Sequence, residues 1–370
     1  MIAMNDLARH HAPLEGELSA ALARVLKRGR YILGPEVKAF EQAFADWCGA
    51  RYCVAVGNGT DALELALRAM AVGPGDEVAT VANAGMYATT AIRAIGATPA
   101  YVEIDADTLL LDPVGLRARL NPRVRAIVAT HLYGRLADVE SLADVARERG
   151  IMLVEDCAQA HGAIRAGRKA GTFGCIGCFS FYPTKNLGAL GDAGALVTDD
   201  SAIAEHLRQL RTYGWSSKYH CAIRGGMNSR MDELQAAVLN VKLPHVESWN
   251  QRRRAIARYY TTAIAHPAMT PLLLPFRGDE ESYVAHIYVV RTAQRDALSA
   301  HLAAAGVATD VHYPIADYRQ EAFSEEMRGV VLERTDHACA TVLSLPCFPE
   351  MTDAEVETVA AACNRWRAPS

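Results

Sequence analysis

Short apolar runs alternate with longer amphipathic stretches along most of this chain, and that alternation predicts its architecture. Residues 14–28 carry Leu18, Leu22, Val25 and Leu26 at helical spacing, and a second helix is predicted over 36–47, after the break at Gly34-Pro35. Runs at 52–56, 77–81, 98–102, 126–130, 151–155 and 195–198 have the length and apolar character of buried strands. Helices are predicted between them. One runs from Asp61, with Leu63, Ala66, Leu67 and Met70 on one face; another runs from the 83–86 loop to about 95; three more span 113–119, 138–149 and 202–210. Such alternation implies an α/β fold with a mostly parallel sheet covered on both faces. The run at 179–182, just before Pro183-Thr184-Lys185, is predicted as a further strand.

The pattern changes after Thr212. A polar loop is expected over 213–229, then a helix over 231–239, then a helical stretch broken by Pro244. Beyond it lie a Pro-spaced loop at 266–275, a strand at 286–292, a helix at 293–305 closed by Gly306, and a strand at 307–313. Thr352 and Glu355 form a capping box that opens the last helix. The expected division is a large domain, 1–246, and a smaller α/β C-terminal domain, 247–370.

Composition narrows the class. Of the 370 residues, 51% are hydrophobic and the formal charge is −4, so neither a membrane protein nor a nucleic-acid binder is expected. The Arg252–Arg254 cluster suits a solvated helix face. Nine dispersed cysteines suggest reduced thiols in a cytoplasmic protein. Cys175 and Cys178 have no second CxxC or matching histidines, so buried small residues are expected there and no metal. No apolar run approaches ~18 residues, and the first residues lack a signal-peptide pattern.

The candidate chemistry lies at strand ends. Asp156 closes the 151–155 run and Lys185 follows the next apolar run, which brings both to the carboxyl edge of the sheet. An amine and a carboxylate so paired suit pyridoxal 5′-phosphate. Its aldehyde bonds to a lysine, and its ring nitrogen needs an anionic partner to stay protonated. Taken singly, an Asp after a strand also reads as a helix N-cap and a lone Lys as a solvated residue. Gly57-Asn58-Gly59-Thr60, between a strand and a helix, could bring backbone amides to a phosphate, or be a tight capped turn.

The segments EDCAQAHGA and FSFYPTKNLGALGDAGA resemble the DegT/DnrJ/EryC1/StrS family of sugar aminotransferases. So do YILGPEVKAFEQAFADWCGA, GNGTDALELAL, GPGDEV, MNSRMDELQAAVL and VHYPI, and the likeness extends over nearly the whole chain. It implies a fold-type I pyridoxal-phosphate aminotransferase. Lys185 and Asp156 would be catalytic, Gly59, Thr60 and Ser180 would hold the cofactor phosphate, and Gln159 would touch its ring or hydroxyl. Met86 takes the position where the family commonly stacks an aromatic on the ring; a core methionine is the plain alternative. Asn228 would reach the partner's cofactor phosphate across a homodimer with shared active sites, although Asn228 or Ser229 also reads as a helix N-cap. Tyr31, His312 and Tyr313 would border the substrate. Retention of Lys185 argues against the related dehydratases, which commonly carry histidine there. The implied activity is amino transfer, with glutamate as donor, to a nucleotide-linked ketosugar. The run after Lys185 resembles enzymes that aminate 3-ketosugars, with 4-ketosugars and keto-inositols as alternatives.

Overall fold

Seven strands form the central sheet: β1 (Tyr52–Val56), β2 (Glu77–Thr80), β3 (Thr98–Tyr101), β4 (Val124–Thr130), β5 (Met152–Asp156), β6 (Ile176–Ser180) and β7 (Gly194–Thr198). Their order is β1-β7-β6-β5-β4-β2-β3. Strand β7 runs antiparallel to both neighbours, and all other pairings are parallel. This computed structural model describes residues 1–271, 278–323 and 325–368. The central strands are apolar because both sheet faces are covered: Ile127, Val128, Ala129 and Val154 are wholly buried. Each of the three central strands ends on a polar residue, Thr130, Asp156 and Ser180, at the same carboxyl edge of the sheet.

Helices α1 (Glu15–Arg28), α2 (Pro35–Cys48), α3 (Gly59–Ala69), α4 (Tyr87–Ala94), α5 (Pro113–Arg119), α6 (Val139–Arg149), α7 (Ser201–Leu210) and α8 (Glu233–Lys242) accompany the sheet. Asn58, Asp112, Asp138 and Asp200 cap four of them through side-chain oxygens. Helix α9 (Val246–Ala263) then leads to a small antiparallel sheet of β8 (Thr270–Pro271), β9 (Tyr288–Arg291) and β10 (Val342–Leu345). Around it lie α10 (Arg295–Ala304), α11 (Glu333–Thr341) and α12 (Asp353–Arg365), the last opened by the capping box at Thr352. One apolar cluster runs from Ile127 and Leu142 under the large sheet to Tyr260, Tyr288 and Trp366, so the two parts share a core.

The structure departs from the sequence pattern in several places. The strand expected at 179–182 is Ile176–Ser180, because its ladder partners are Val154–Asp156 and Gly194–Val197; Phe181 is buried beyond the ladder's end. Residues 307–313 form no strand, only single bridges from Val307 to Ile2 and from Asp310 to Ser344. The 213–229 loop contains a short ribbon, Trp215–Ser217 with His220–Cys221. Helix α8 begins at Glu233 with Asp232 at its N-cap, so neither Asn228 nor Ser229 caps it. Of the loop expected at 266–275, residues 270–271 belong to β8 and 272–275 lie outside the described residues. All nine cysteines are free thiols. Among the described residues, no helix is long and apolar enough to cross a membrane.

Candidate active site

A cavity of ≈ 390 Å³ opens at the carboxyl edge of β4, β5 and β6. Thr130, Asp156 and Ser180 line its floor, Gly59 and Thr60 enter from the first turn of α3, and Gln159, Tyr87 and Lys185 complete the walls. Another cleft of similar size, ≈ 380 Å³, lies between α2 and β1 and contains none of these groups.

Asp156 is 5% exposed. One of its oxygens accepts the Ala158 N–H at 3.1 Å and the other the Thr130 hydroxyl at 3.3 Å. Burial raises its pKa; the Ala158 amide, Lys185 and His131 pull it part of the way back. Lys185 is held at the cavity wall by its own backbone N–H, which donates to the Tyr182 carbonyl at 2.8 Å. Burial lowers its pKa to about 8, against the pull of Asp156. The neutral amine that a nucleophile requires is therefore far more accessible than for an ordinary lysine, although the ammonium form still predominates below pH 8.

The neighbouring Asn186 anchors this lysine in a way the sequence did not disclose. Its amide donates to Asn250 at 2.8 Å and to the Val284 carbonyl at 3.1 Å, and its oxygen accepts from His286 at 2.9 Å. Those partners lie 64 to 100 residues away, beyond the reach of any local pattern.

The phosphate-side residues also meet. A Cβ added to Gly59 would lie 2.6 Å from the Ser180 Cβ, so the start of α3 can rest on the end of β6 only with glycine at this position. Asn58 takes the Asp61 amide, whereas no described residue accepts from the amides of Gly59 and Thr60. Ser229 locks the 213–229 loop onto this turn: its hydroxyl donates to Asp61 at 2.6 Å and accepts the Gly57 N–H at 2.9 Å. Asn228, beside it, is exposed and does not line the cavity.

Gln159 accepts the Tyr133 N–H at 2.6 Å and donates to the Tyr313 hydroxyl at 3.2 Å, tying the cavity to the 312–318 segment. His312 faces a separate cavity of ≈ 210 Å³ with Thr184, Arg253 and His286; its ring bonds Ser344 at 2.8 Å, and burial lowers its pKa. Tyr31 is 47% exposed and outside the cavity lining. Met86 is outside it as well: its backbone is left-handed, at φ 71°, and the aromatic ring on the cavity wall belongs to the next residue, Tyr87.

His161, packed between Phe179 and Phe181 with its pKa pushed down to about 3 by burial, is a neutral core residue. His131, Glu155 and Cys157 converge, but not as metal ligands. Glu155 already accepts from His131 and from the amides of Gly171, Phe173 and Gly174, and the other nitrogen of His131 accepts the Ala137 N–H. The cluster pins a loop.

The model of the DegT/DnrJ/EryC1/StrS aminotransferase family matches residues 13–364. The chain belongs to that family. The DegT/DnrJ/EryC1/StrS family is pyridoxal-phosphate-dependent, and this member is an aminotransferase. It is 44% identical to the dTDP-3-amino-3,6-dideoxy-alpha-D-galactopyranose transaminase of Aneurinibacillus thermoaerophilus over 99% of both chains. It is 42% identical to the dTDP-3-amino-3,4,6-trideoxy-alpha-D-glucose transaminase of Streptomyces venezuelae, over 98% of this chain and 95% of that one. Among solved structures, S. venezuelae DesV in complex with a ketimine intermediate superimposes with a TM-score of 0.96 at 42% identity, covering 100% and 99% of the two chains. NtdA from Bacillus subtilis with bound cofactor PMP gives 0.91 at 29% identity, covering 98% of this chain and 84% of that one.

The residues present fit the cofactor. Each Asp156 oxygen accepts a single hydrogen bond, which leaves acceptor capacity for a ring N–H. The unpaired amides of Gly59 and Thr60, at a helix N-terminus, suit a phosphate.

Proposed function

We propose that this aminotransferase moves an amino group from L-glutamate to a nucleotide-linked ketosugar, a 3-keto-6-deoxyhexose on thymidine diphosphate, as a cytoplasmic homodimer. The observation that carries the chemistry is the pairing of Lys185, at a pKa of about 8, with buried Asp156 in one cavity. The choice of sugar rests on the two 3-amino-sugar transaminases above, each aligned over nearly the full chain. Nine free thiols suit a reducing compartment.

Pyridoxal phosphate, when bound, supplies an electron sink for the carbon that carries the transferred amine. Asp156 would hold a proton on its ring nitrogen by opposite charge in a partly desolvated site. Gly59, Thr60 and Ser180 would hold its phosphate, and Gln159 would face its ring or hydroxyl. Lys185 would hold it at rest and, when free, would carry a proton at the reacting carbons. The aromatic offered to the ring face is Tyr87 in place of Met86. Tyr313, bonded to Gln159, stands nearest the sugar's approach, whereas His312 and Tyr31, outside the cavity lining, would reach it only as its outer border. Residues 1–246 form the cofactor domain, and 247–370 the smaller one.

The test is to supply 3-keto and 4-keto isomers of the nucleotide sugar with glutamate and to locate the new amine by NMR. A pocket fitted to one isomer orients the nucleotide differently from the other, so amination is expected at the third carbon. Product solely at the fourth carbon would overturn the sugar assignment while leaving the transfer intact.

The homodimer makes a separate prediction. Asn228, outward-facing on a loop fastened by Ser229, is positioned to serve a second copy. Lys185→Ala and Asn228→Ala, each inactive alone, are expected to recover activity when mixed, because one of the two shared sites then carries both defects and the other neither. No recovery despite confirmed subunit exchange would assign Asn228 to its own subunit.

A further inference from the structure

Asp317 is a carboxylate 1% exposed, in the segment that follows His312 and Tyr313. Its main-chain N–H donates to the Ala82 carbonyl at 2.8 Å. One carboxylate oxygen accepts the Met86 N–H at 3.0 Å and the other accepts the Thr89 hydroxyl at 2.6 Å. Three bonds thus hold both ends of the 82–89 segment, the piece of chain that presents Ala84 and Tyr87 to the cavity. Tyr313 closes the same contact from the other side. A Cβ on Gly85 would lie 2.8 Å from its ring, and its ring meets that of Tyr87 edge-on at 6.1 Å. Met86 sits in a left-handed conformation, with its backbone N–H turned to Asp317 and Tyr87 starting α4.

We propose that Asp317 is a positioning residue for the cofactor cavity: its carboxylate fixes the 82–89 segment and, through it, the Tyr87 ring against the bound cofactor. This rests on the reading of the cavity as the pyridoxal-phosphate site. A carboxylate suits the task because its bonds to an amide and a hydroxyl are charge-assisted and roughly twice as strong as neutral ones, and because a negative charge is favoured at the N-terminus of α4. The groups that face it are the Thr89 hydroxyl of α4, the Tyr101 hydroxyl of β3 at 3.1 Å from Thr89, and the Cys339 thiol of α11. Arg93 and Glu326 act one step away, on Tyr101.

Burial pushes the Asp317 carboxyl up to about 6, against the pull of Thr89 and the Met86 amide. A raised carboxyl pKa means the folded protein holds a proton that the unfolded chain has released, so stability falls as pH rises through that window and the penalty persists at neutral pH. Burial therefore disfavours the ionised form of Asp317, and the Thr89 hydroxyl and Met86 amide offset that in part.

The test is the dissociation constant of pyridoxal phosphate, read by fluorescence quenching on the cofactor-stripped protein. At pH 7.5, Asp317→Ala is expected to weaken binding about tenfold and Asp317→Asn less, the loss of hydrogen bonds to a charged group setting the scale. The ratio of variant to wild-type constants is expected to fall toward one as pH drops through about 6, where the wild-type carboxylate is itself protonated. In a Tyr87→Ala background, Asp317→Asn is expected to cost nothing further. A ratio of one at pH 7.5, a ratio independent of pH, or full additivity with Tyr87→Ala would each overturn the assignment. A lowered unfolding temperature with unchanged cofactor binding would make Asp317 a residue of the fold alone and overturn it too. Failure of the wild-type protein to take up pyridoxal phosphate would instead remove the cofactor reading on which it stands.

Discussion

Lys185→Ala is expected to abolish turnover, by about a thousandfold or more, while leaving the fold and the cofactor phosphate site in place. The lysine is asked to do two jobs, covalent attachment at rest and proton transfer during reaction, and positioned acid–base groups alone contribute about 10²–10⁴-fold. The variant should bind pyridoxal phosphate without covalent attachment, which borohydride reduction followed by mass measurement would check. A rate close to wild type would sink the assignment. Stability offers an internal control. The folded pKa of Lys185 is about 8, below its ordinary 10.5, because burial disfavours the ammonium ion. The folded protein therefore binds fewer protons than the unfolded chain between these values, and stability rises with pH across that window. Lys185→Ala should lose that slope and be no less stable at pH 7. Loss of activity would then report on chemistry and not on unfolding. Cofactor attachment to the wild-type protein should speed up as pH rises through about 8, since only the neutral amine attacks the aldehyde.

Asp156→Asn should lower turnover by far more than about tenfold, or 1.4 kcal/mol of barrier, while cofactor is retained. The side chain keeps its size and can still accept from Ala158 or Thr130, but an amide cannot hold a proton on a pyridine nitrogen by opposite charge. Here too function and stability separate. Burial raises the pKa of Asp156, so its ionised form is a cost to the fold that is absent at low pH and appears as pH rises through the folded value. The asparagine variant is expected to unfold no earlier than the wild type at neutral pH. A fall of less than tenfold with cofactor bound would move the ring-nitrogen role to another carboxylate.

Tyr87, Asp317 and Ser229 illustrate what the chain's linear pattern left hidden. No periodicity distinguishes Met86 from Tyr87. The choice between them is made by a left-handed backbone at φ 71°, held by a carboxylate 231 residues away. Ser229 was, with Asn228, an expected N-cap of α8, yet its hydroxyl joins Gly57 and Asp61, 172 and 168 residues distant. Glu233, which has no role assigned from the sequence, accepts the Gly34, Glu36 and Val37 amides at the start of α2. His312 and Tyr313 are adjacent in the chain, yet His312 lines a separate cavity while the Tyr313 hydroxyl bonds Gln159.

What the sequence determined by itself was set by short-range forces. Apolar runs of strand length, the amphipathic stretches between them and the capping box at Thr352 act over a few residues, and they specified the β/α alternation across residues 52–210 and the start of the last helix. Because parallel strands share one carboxyl edge, Asp156 at the end of one apolar run and Lys185 after the next were legible as neighbours without coordinates. The tertiary structure alone decided where segments end and which way side chains face: that β6 stops at Ser180, that 307–313 pairs only by single bridges, that Asn228 points outward and that Tyr87 forms the cavity wall. Those choices depend on hydrogen bonds and close packing between residues far apart in the chain, and local sequence carries no record of the partner until folding brings it into contact.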